Sequence, residues 1–223
     1  MEAVLAAKKI EAVIFDWGGV LIDDPRPWLM KFCAKAFDIS PEEYVEAHIQ
    51  FLERFQKGLI SEEVFWRKVC TGLDRPMPSR PSLWGQAFRA AYVPRKQMFD
   101  LVAKLHDAGY KTALLSNTET PAMEFFHELK YPGFDVLVFS CAEGSAKPEP
   151  KIYETTLDRL GSQPSRTVFI DDRPSFIEGA RQLEIQTILF ESIDQVKDNL
   201  ARLGIMADRP RVSIDGLRQP AKE

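Results

Sequence analysis

The stretch that decides the fold is the run VIFDWGGVL at residues 13–21. It is a short apolar segment that stops at Asp16 and then passes into two consecutive glycines, Gly18 and Gly19. Such a segment places a carboxylate at the carboxyl end of a strand, beside a backbone that bends easily. In open α/β sheets, ligands bind at that edge. Asp and Gly are also ordinary turn residues, so the run alone leaves a plain turn as the alternative.

The composition is that of a globular chain with room for one sizeable core and an inserted subdomain. Of its 223 residues, 45% are hydrophobic and 28% are charged. The net charge is −4 without a clustered basic stripe, so we expect no nucleic-acid partner. The apolar runs are strand-sized and the start lacks an export signal, which predicts no membrane segment and a cytoplasmic protein. Cys33, Cys70 and Cys141 lie too far apart for a CxxC pair and are expected to be reduced.

Residues 24–92 show helical periodicity with no strand between the helices. The first apolar stripe contains Trp28 and Phe37, and the second helix begins at the capping box that Ser40 opens. A third helix begins after Ser61, and a fourth covers about residues 83–92. Amphipathic helices joined by short loops predict a four-helix bundle inserted after the first strand.

From Pro94 onward, strands and helices alternate. Strands are predicted at residues 111–115, 135–139, 167–170 and 186–190, and helices at 95–108, 120–129, 151–160 and 175–183. Repeated βα units with apolar strands predict an α/β fold, a doubly wound parallel sheet covered on both faces. We therefore divide the chain into a core (residues 1–23 and 93–204), a helical cap (24–92) and a loose polar tail (205–223).

Each of four predicted strand ends or adjoining loops carries polar side chains. These are Asp16, Ser116 with Asn117, Lys147, and Asp171 with Asp172. Because the carboxyl ends of parallel strands share one edge of the sheet, we expect all of them to meet in one crevice. Crowded carboxylates without His or Cys favour Mg²⁺, and a lysine beside them offsets the charge of a transferring group. This combination suits phosphoryl transfer through a carboxylate nucleophile.

Four segments, in this order, resemble the motifs of the haloacid dehalogenase-like hydrolase superfamily. They are residues 15–21 (FDWGGVL), 115–118 (LSNT), 146–148 (AKP) and 169–172 (FIDD). The resemblance covers about residues 11–190. It implies a Rossmann-like core with a helical cap, Mg²⁺ as cofactor and a small phosphorylated metabolite as substrate. The order of the motifs differs from that of response-regulator receivers, whose acidic pair comes first.

The resemblance also implies roles for individual residues. Asp16 would be the nucleophile that forms an aspartyl-phosphate, and Lys147 would steady both the nucleophile and the phosphate. Ser116 and Asn117 would bind the phosphate. Asp23 stands where many members carry an acid at the entrance to the cap.

The implied metal site contains a departure from the family pattern. Mg²⁺ would be held by Asp16, the backbone carbonyl of Gly18 and Asp172, with Asp171 binding directly or through water. Family phosphatases usually carry a second Asp at the position of Gly18, which protonates the leaving group. A glycine has no proton to give, so water or another acid would take over. The chain resembles an Asp-x-Gly sub-branch that includes sugar-phosphate phosphatases.

Three alternatives stay open at this point. Phosphonoacetaldehyde hydrolases form an imine with a cap lysine, for which Lys31, Lys35 and Lys57 are candidates. Haloacid dehalogenases also lack the second Asp, but they carry Tyr there and work without a metal. The third alternative, from another class, is a phosphate-binding or regulatory protein with weak or lost catalysis. The sequence predicts neither the substrate nor the oligomeric state.

Overall fold

The computed structural model describes residues 9–205 of the chain. Its five strands form a single parallel sheet in the order β3-β2-β1-β4-β5. The strands are β1 (Ala12–Phe15), β2 (Lys111–Ser116), β3 (Val136–Phe139), β4 (Thr167–Asp171) and β5 (Gln186–Leu189). The prediction of a parallel α/β sheet is confirmed, and the apolar β1 is its fully buried central strand.

The register of the sheet brings three strand ends side by side. Phe15, the last residue of β1, pairs with Leu114 of β2 and with Ile170 of β4. Directly beyond it, the backbone N–H of Asp16 donates to the carbonyl of Ile170 at 2.9 Å. The ends of β2 and β4 therefore flank Asp16.

Ten α-helices surround the sheet within residues 9–205. Five lie between β1 and β2, and the first four of them form the helical bundle: α1 (Arg26–Phe37), α2 (Pro41–Gln56), α3 (Glu62–Leu73) and α4 (Leu83–Ala91). The others are α5 (Lys96–Asp107), α6 (Thr120–Leu129), α7 (Ser140–Glu143), α8 (Pro150–Leu160), α9 (Pro174–Arg181) and α10 (Ile193–Arg202). A 3₁₀ turn covers Pro164–Arg166. None of these helices combines the length and the apolar character needed to cross a membrane.

A capping box and a cluster of aromatic side chains stabilise the helical bundle. Ser40 Oγ accepts from the Glu43 backbone at 3.2 Å and Glu43 accepts from the Ser40 backbone at 2.9 Å, which is the predicted capping box. Such a cap stabilises a helix by ~1 kcal/mol. Inside the bundle, Phe55 stacks on Phe65 with ring centroids 4.5 Å apart, and Trp84 meets both rings edge-on at 5.4 Å.

Two backbone hydrogen bonds close the loop from which the bundle projects. Asp23 N donates to Val93 O, and Arg95 N donates to Leu21 O, both at 2.9 Å. The side chain of Arg95 also pairs with Asp23 at 2.9 Å. The division of the chain at residues 23 and 93 stays a prediction, and these contacts lie at that place.

Two helices are absent from the sequence interpretation. α7 has four residues, too few to show a period, and lies inside the predicted loop before Lys147. α10 follows β5 and buries only Val196 and Leu200 among polar neighbours, a stripe too thin to stand out. Of the predicted tail, only Ile205 is described, and it is buried in the core. The remainder, residues 206–223, lies outside the described residues, as do residues 1–8.

Candidate active site

The loop after β1 is anchored by Trp17. Its ring lies 4.9 Å from Phe88 of the helical bundle and 5.1 Å from Phe126 of α6, so it packs between bundle and core. Trp17 is 1% exposed and the preceding Asp16 is 6% exposed. Burial of the large ring therefore fixes the backbone that carries the carboxylate.

The two glycines of this loop have different reasons to be small. Gly19 has φ +90°, and a Cβ there would lie 2.3 Å from Oδ2 of Asp172, so only glycine fits. A Cβ on Gly18 would meet only the Pro25 ring, at 3.4 Å, an ordinary contact. A side chain at position 18 is therefore sterically allowed, and its absence is a chemical difference rather than a packing requirement.

Lys147 joins two strand ends through its ammonium group. Its Nζ lies 2.7 Å from Asp16 Oδ1 and 2.6 Å from Asp171 Oδ2, with all three side chains buried. Burial favours the neutral amine, but the charges of Asp16 and Asp171 outweigh it and raise the pKa of Lys147. Burial raises the pKa of Asp16 to about 7, against the opposing charge of Lys147. Lys147 is therefore a positively charged group in contact with Asp16 at the end of β1.

Asp171 and Asp172 are adjacent in the chain but have different surroundings. Asp171 is fully buried and accepts from Lys147 Nζ and, at 2.8 Å, from the Arg173 backbone. Among the described residues, Asp172 Oδ1 is buried without any hydrogen-bond partner. Burial, with the charge of Asp171 second, raises the pKa of Asp172. An orphaned carboxylate oxygen of this kind calls for a cation or a donor that the protein itself does not provide.

The three carboxylates fit a hard divalent cation. Oxygen atoms of Asp16, Asp171 and Asp172 lie within 4.8 Å of one another. The three carboxylates and the lysine that contacts two of them, all ionised, carry two net negative charges, which suits a divalent ion. The donors are all oxygens, the set that Mg²⁺ prefers. Asp172 is better placed than Asp171 to bind directly, because Lys147 and a backbone N–H already engage both Asp171 oxygens.

Two of the predicted phosphate-binding residues, Ser116 at the end of β2 and Asn117 directly after it, have different side-chain surroundings. Ser116 is 3% exposed and lines the cavity beside Asp16. The Asn117 amide donates to the Lys147 carbonyl at 2.9 Å and accepts from the Lys147 N–H at 2.8 Å. Asn117 therefore holds the loop that carries Lys147, a positioning contact that the sequence did not reveal.

These groups form one end of a cavity of about 330 Å³ between the sheet edge and the helical bundle. Asp24, Pro25 and Arg26 also line it, and Arg26 pairs with Asp24 at 2.7 Å. Helices α1, α2 and α4 supply the opposite wall. The volume lies at the lower end of the range for small-molecule sites.

Glu119 is a buried acid in this cavity that sequence analysis missed. It is 4% exposed, and its Oε2 accepts from Trp84 Nε1 of α4 at 2.9 Å. Burial raises its pKa to about 7. Its position, shortly after Ser116 and directly before α6, is the only sequence signal that points to it.

Comparisons with known proteins agree with this geometry. Residues 10–183 match the family described as haloacid dehalogenase-like hydrolase. The chain is 32% identical over 210 residues to Acyl-CoA dehydrogenase family member 10 of Mus musculus, covering 88% of this chain but only 19% of that protein. It is 29% identical over 228 residues to a phosphorylated carbohydrates phosphatase of Thermotoga maritima, covering 94% of this chain and 99% of that protein.

A solved structure shares the same architecture. The magnesium complex of a HAD family enzyme from Bacteroides thetaiotaomicron has a TM-score of 0.70 and 25% sequence identity, covering 83% of this chain and 96% of that one. The family match includes β1, β2 and β4, the strands whose ends bear Asp16, Ser116 and Asp171. The chain therefore belongs to the haloacid dehalogenase-like hydrolases.

Proposed function

We propose that this hydrolase is a Mg²⁺-dependent phosphatase of a small phosphorylated metabolite, with Asp16 as the nucleophile. The observation that carries the proposal is the contact of Lys147 with Asp16 and Asp171 beside the unpartnered oxygen of Asp172. A buried ammonium and a carboxylate cluster suit the charge of a phosphoryl group. The similarity to a phosphorylated carbohydrates phosphatase supports the same reaction class.

The proposed metal ligands are Asp16, the Gly18 backbone carbonyl and Asp172, with Asp171 acting through its contacts in the cluster. A bound Mg²⁺ would supply charge neutralisation for the phosphoryl oxygens. Lys147 holds the Asp16 carboxylate in place and keeps a positive charge at the transfer site. The Ser116 hydroxyl donates to a phosphoryl oxygen in this scheme.

The reaction takes place in two displacements at phosphorus. An Asp16 oxygen forms a bond to phosphorus while the ester P–O bond breaks, and the leaving oxygen takes a proton from water because Gly18 has no side chain. A water molecule then attacks phosphorus, gives a proton to the surrounding water, breaks the Asp16–phosphate bond and releases inorganic phosphate. Without a side-chain acid, the first step depends strongly on how easily the leaving group departs.

The structure does not favour the three cap lysines that the imine alternative would use. None of Lys31, Lys35 and Lys57 lines the cavity. Lys57 forms ion pairs with Glu53 and Glu149, which raise its pKa and keep it protonated. An imine-forming amine must be neutral. The metal-free dehalogenase alternative leaves Asp172 Oδ1 without a partner, so we favour the phosphatase.

The experiment is a phosphate-release assay with p-nitrophenyl phosphate and a panel of phosphorylated metabolites, with and without Mg²⁺. We expect Mg²⁺-dependent turnover that Asp16→Asn abolishes. Asp158→Asn, an exposed acid on α8, is the matched control and should retain wild-type turnover. Full activity of Asp16→Asn would refute the nucleophile assignment. Phosphate binding without release in a single-turnover assay would favour the regulatory alternative.

A further inference from the structure

The two ends of the cavity differ in chemistry. The sheet end carries Asp16, Ser116, Lys147 and Asp172. The wall formed by the helical bundle is predominantly apolar and contains Leu29, Met30, Val45, Ile49, Leu52 and Phe88. A phosphate monoester bound with its phosphoryl group at the sheet end would press its organic part against this apolar wall.

Two residues of that wall are exposed although they line a cavity. Val45 and Ile49 lie one turn apart on α2 and are 39% and 56% exposed. An apolar ligand that covers them removes apolar surface from water, which is favourable. Leu59 is 57% exposed, nearly the same as Ile49, but does not line the cavity, so it provides a matched comparison for Ile49.

Two polar side chains near the apolar wall, His48 and Glu119, already take part in hydrogen bonds. His48 Nδ1 contacts the Tyr44 carbonyl at 2.7 Å, and burial lowers the pKa of His48. Glu119 accepts hydrogen bonds from both Trp84 and the Gln56 side chain. A sugar would bury several hydroxyl groups here in competition with these existing bonds, and unpaired buried hydroxyls weaken binding.

The two arginines that line the cavity, Arg26 and Arg173, lie at its sheet end. The charges of Arg26 and Arg173 both act on Asp172 and oppose the rise in its pKa. Arg26 is additionally paired with Asp24. These cations therefore lie close to the carboxylate cluster, where the phosphoryl group would bind.

We infer that the substrate is a phosphate monoester with an apolar organic part, alkyl or aryl, that packs on Val45 and Ile49 of α2. This inference rests on the proposed phosphatase function and narrows its substrate class. Sugar phosphates are poorer substrates than apolar esters with a comparable leaving group. Ile49 and Val45 are specificity-determining residues that act on the organic part and not on the phosphoryl group.

The test compares aryl esters that have similar leaving groups and differ in the 4-substituent. Phenyl phosphate, 4-ethylphenyl phosphate and 4-butylphenyl phosphate form the apolar series, and 4-(2-hydroxyethyl)phenyl phosphate is the polar match. We expect kcat/KM to rise by about fourfold per added methylene. The polar match should fall well below the 4-ethyl ester. A flat series, or preference for the hydroxyl, overturns the inference.

Two variants test whether Ile49 causes the preference for apolar 4-substituents. Ile49→Asn should lower kcat/KM for 4-butylphenyl phosphate by on the order of tenfold and lower it less for phenyl phosphate, whose organic part offers less apolar surface to Ile49. Leu59→Asn, at the same exposure, should change neither. Equal effects of the two variants would contradict the assignment of the wall. Both positions are exposed, so neither variant should compromise folding.

A binding measurement separates this inference from the proposed function. Alkylphosphonates of increasing chain length contain a P–C bond that a phosphatase does not cleave, and their affinity is measured by calorimetry in the presence of Mg²⁺. If no ester is turned over, the phosphatase proposal fails. Affinity that rises with chain length in wild type and falls in Ile49→Asn would still support the apolar subsite. Affinity independent of chain length would overturn it.

Discussion

The ammonium of Lys147 lies 2.7 Å from the Asp16 carboxylate, although the two residues are far apart in sequence and both are buried. The same nitrogen lies 2.6 Å from Asp171. One lysine thus links the ends of β1 and β4 electrostatically. Removing one partner of a buried pair is costly because the other charge remains buried and unpaired.

Replacing Lys147 by methionine should therefore affect both stability and activity. The variant leaves Asp16 and Asp171 unpaired, and we expect it to lose about 3–5 kcal/mol of unfolding free energy. Turnover of p-nitrophenyl phosphate should fall below detection. Urea unfolding followed by circular dichroism measures the first effect. Stability equal to wild type would show that the pair does not hold the strand ends together.

A proton donor at position 18 should accelerate the enzyme selectively. Gly18→Asp places a carboxyl where a Cβ meets only Pro25 at 3.4 Å. We expect turnover of alkyl phosphates to rise by roughly 10²-fold or more, with little change for p-nitrophenyl phosphate, whose leaving group needs no acid. Gly18→Asn is the control of similar size. If Asn and Asp act alike, the missing acid does not limit the rate.

The neighbouring glycines should respond differently to alanine. At Gly19 an added methyl group would lie 2.3 Å from Asp172 Oδ2, at φ +90°. Gly19→Ala should therefore cost about 1–3 kcal/mol and displace Asp172, whereas Gly18→Ala should be tolerated. Thermal unfolding and Mg²⁺-dependent turnover of both variants measure the difference. Similar behaviour of the two variants would contradict the assigned backbone roles.

Glu119 should make stability depend on pH. Its pKa in the folded protein is about 7, against an ordinary value of 4.5, so the folded state holds the proton more tightly than the unfolded state. The deprotonation of Glu119 therefore lowers the free energy of unfolding. This loss is absent below about pH 4.5, grows as the pH rises between the two pKa values and is complete above about pH 7. It amounts to ~3 kcal/mol.

Comparison with Glu119→Gln isolates this effect. Glutamine keeps an oxygen that accepts from Trp84 but does not titrate. Between about pH 4 and about pH 8, wild type should lose ~3 kcal/mol of unfolding free energy relative to the variant. Urea unfolding at several pH values measures the difference. Parallel curves for the two proteins would mean that Glu119 titrates normally.

The sequence predicts the sheet and the meeting of its strand ends because both follow from local patterns. Apolar runs of strand length stop at Asp16, Ser116 and Asp171, and a parallel sheet places such ends on one edge. The catalytic and metal-binding roles of these residues stay predictions. Their proximity follows from chain topology, which a single sequence can reveal.

Other features of the site depend on contacts between residues distant in sequence, and such contacts produce no periodic pattern in the sequence. The Asn117 amide pairs with the backbone of Lys147, and Glu119 pairs with Trp84 of the helical bundle. Neither partner can be read from spacing, because each depends on how the bundle and the loop before α8 fold onto the sheet. The apolar wall formed by α2 cannot be predicted for the same reason, because periodicity identifies the apolar face of a helix but not what that face contacts.

The central claim is that Asp16 carries the phosphoryl group. A single turnover with enzyme in excess of p-nitrophenyl phosphate, quenched in acid and analysed by peptide mass spectrometry, tests it most directly. We predict an added phosphoryl mass on the peptide that contains Asp16, accumulating because Gly18 supplies no base for the second step. Asp16→Asn should show no such adduct. Phosphate release from wild type without any adduct at Asp16, or with the adduct on another residue, would contradict the account.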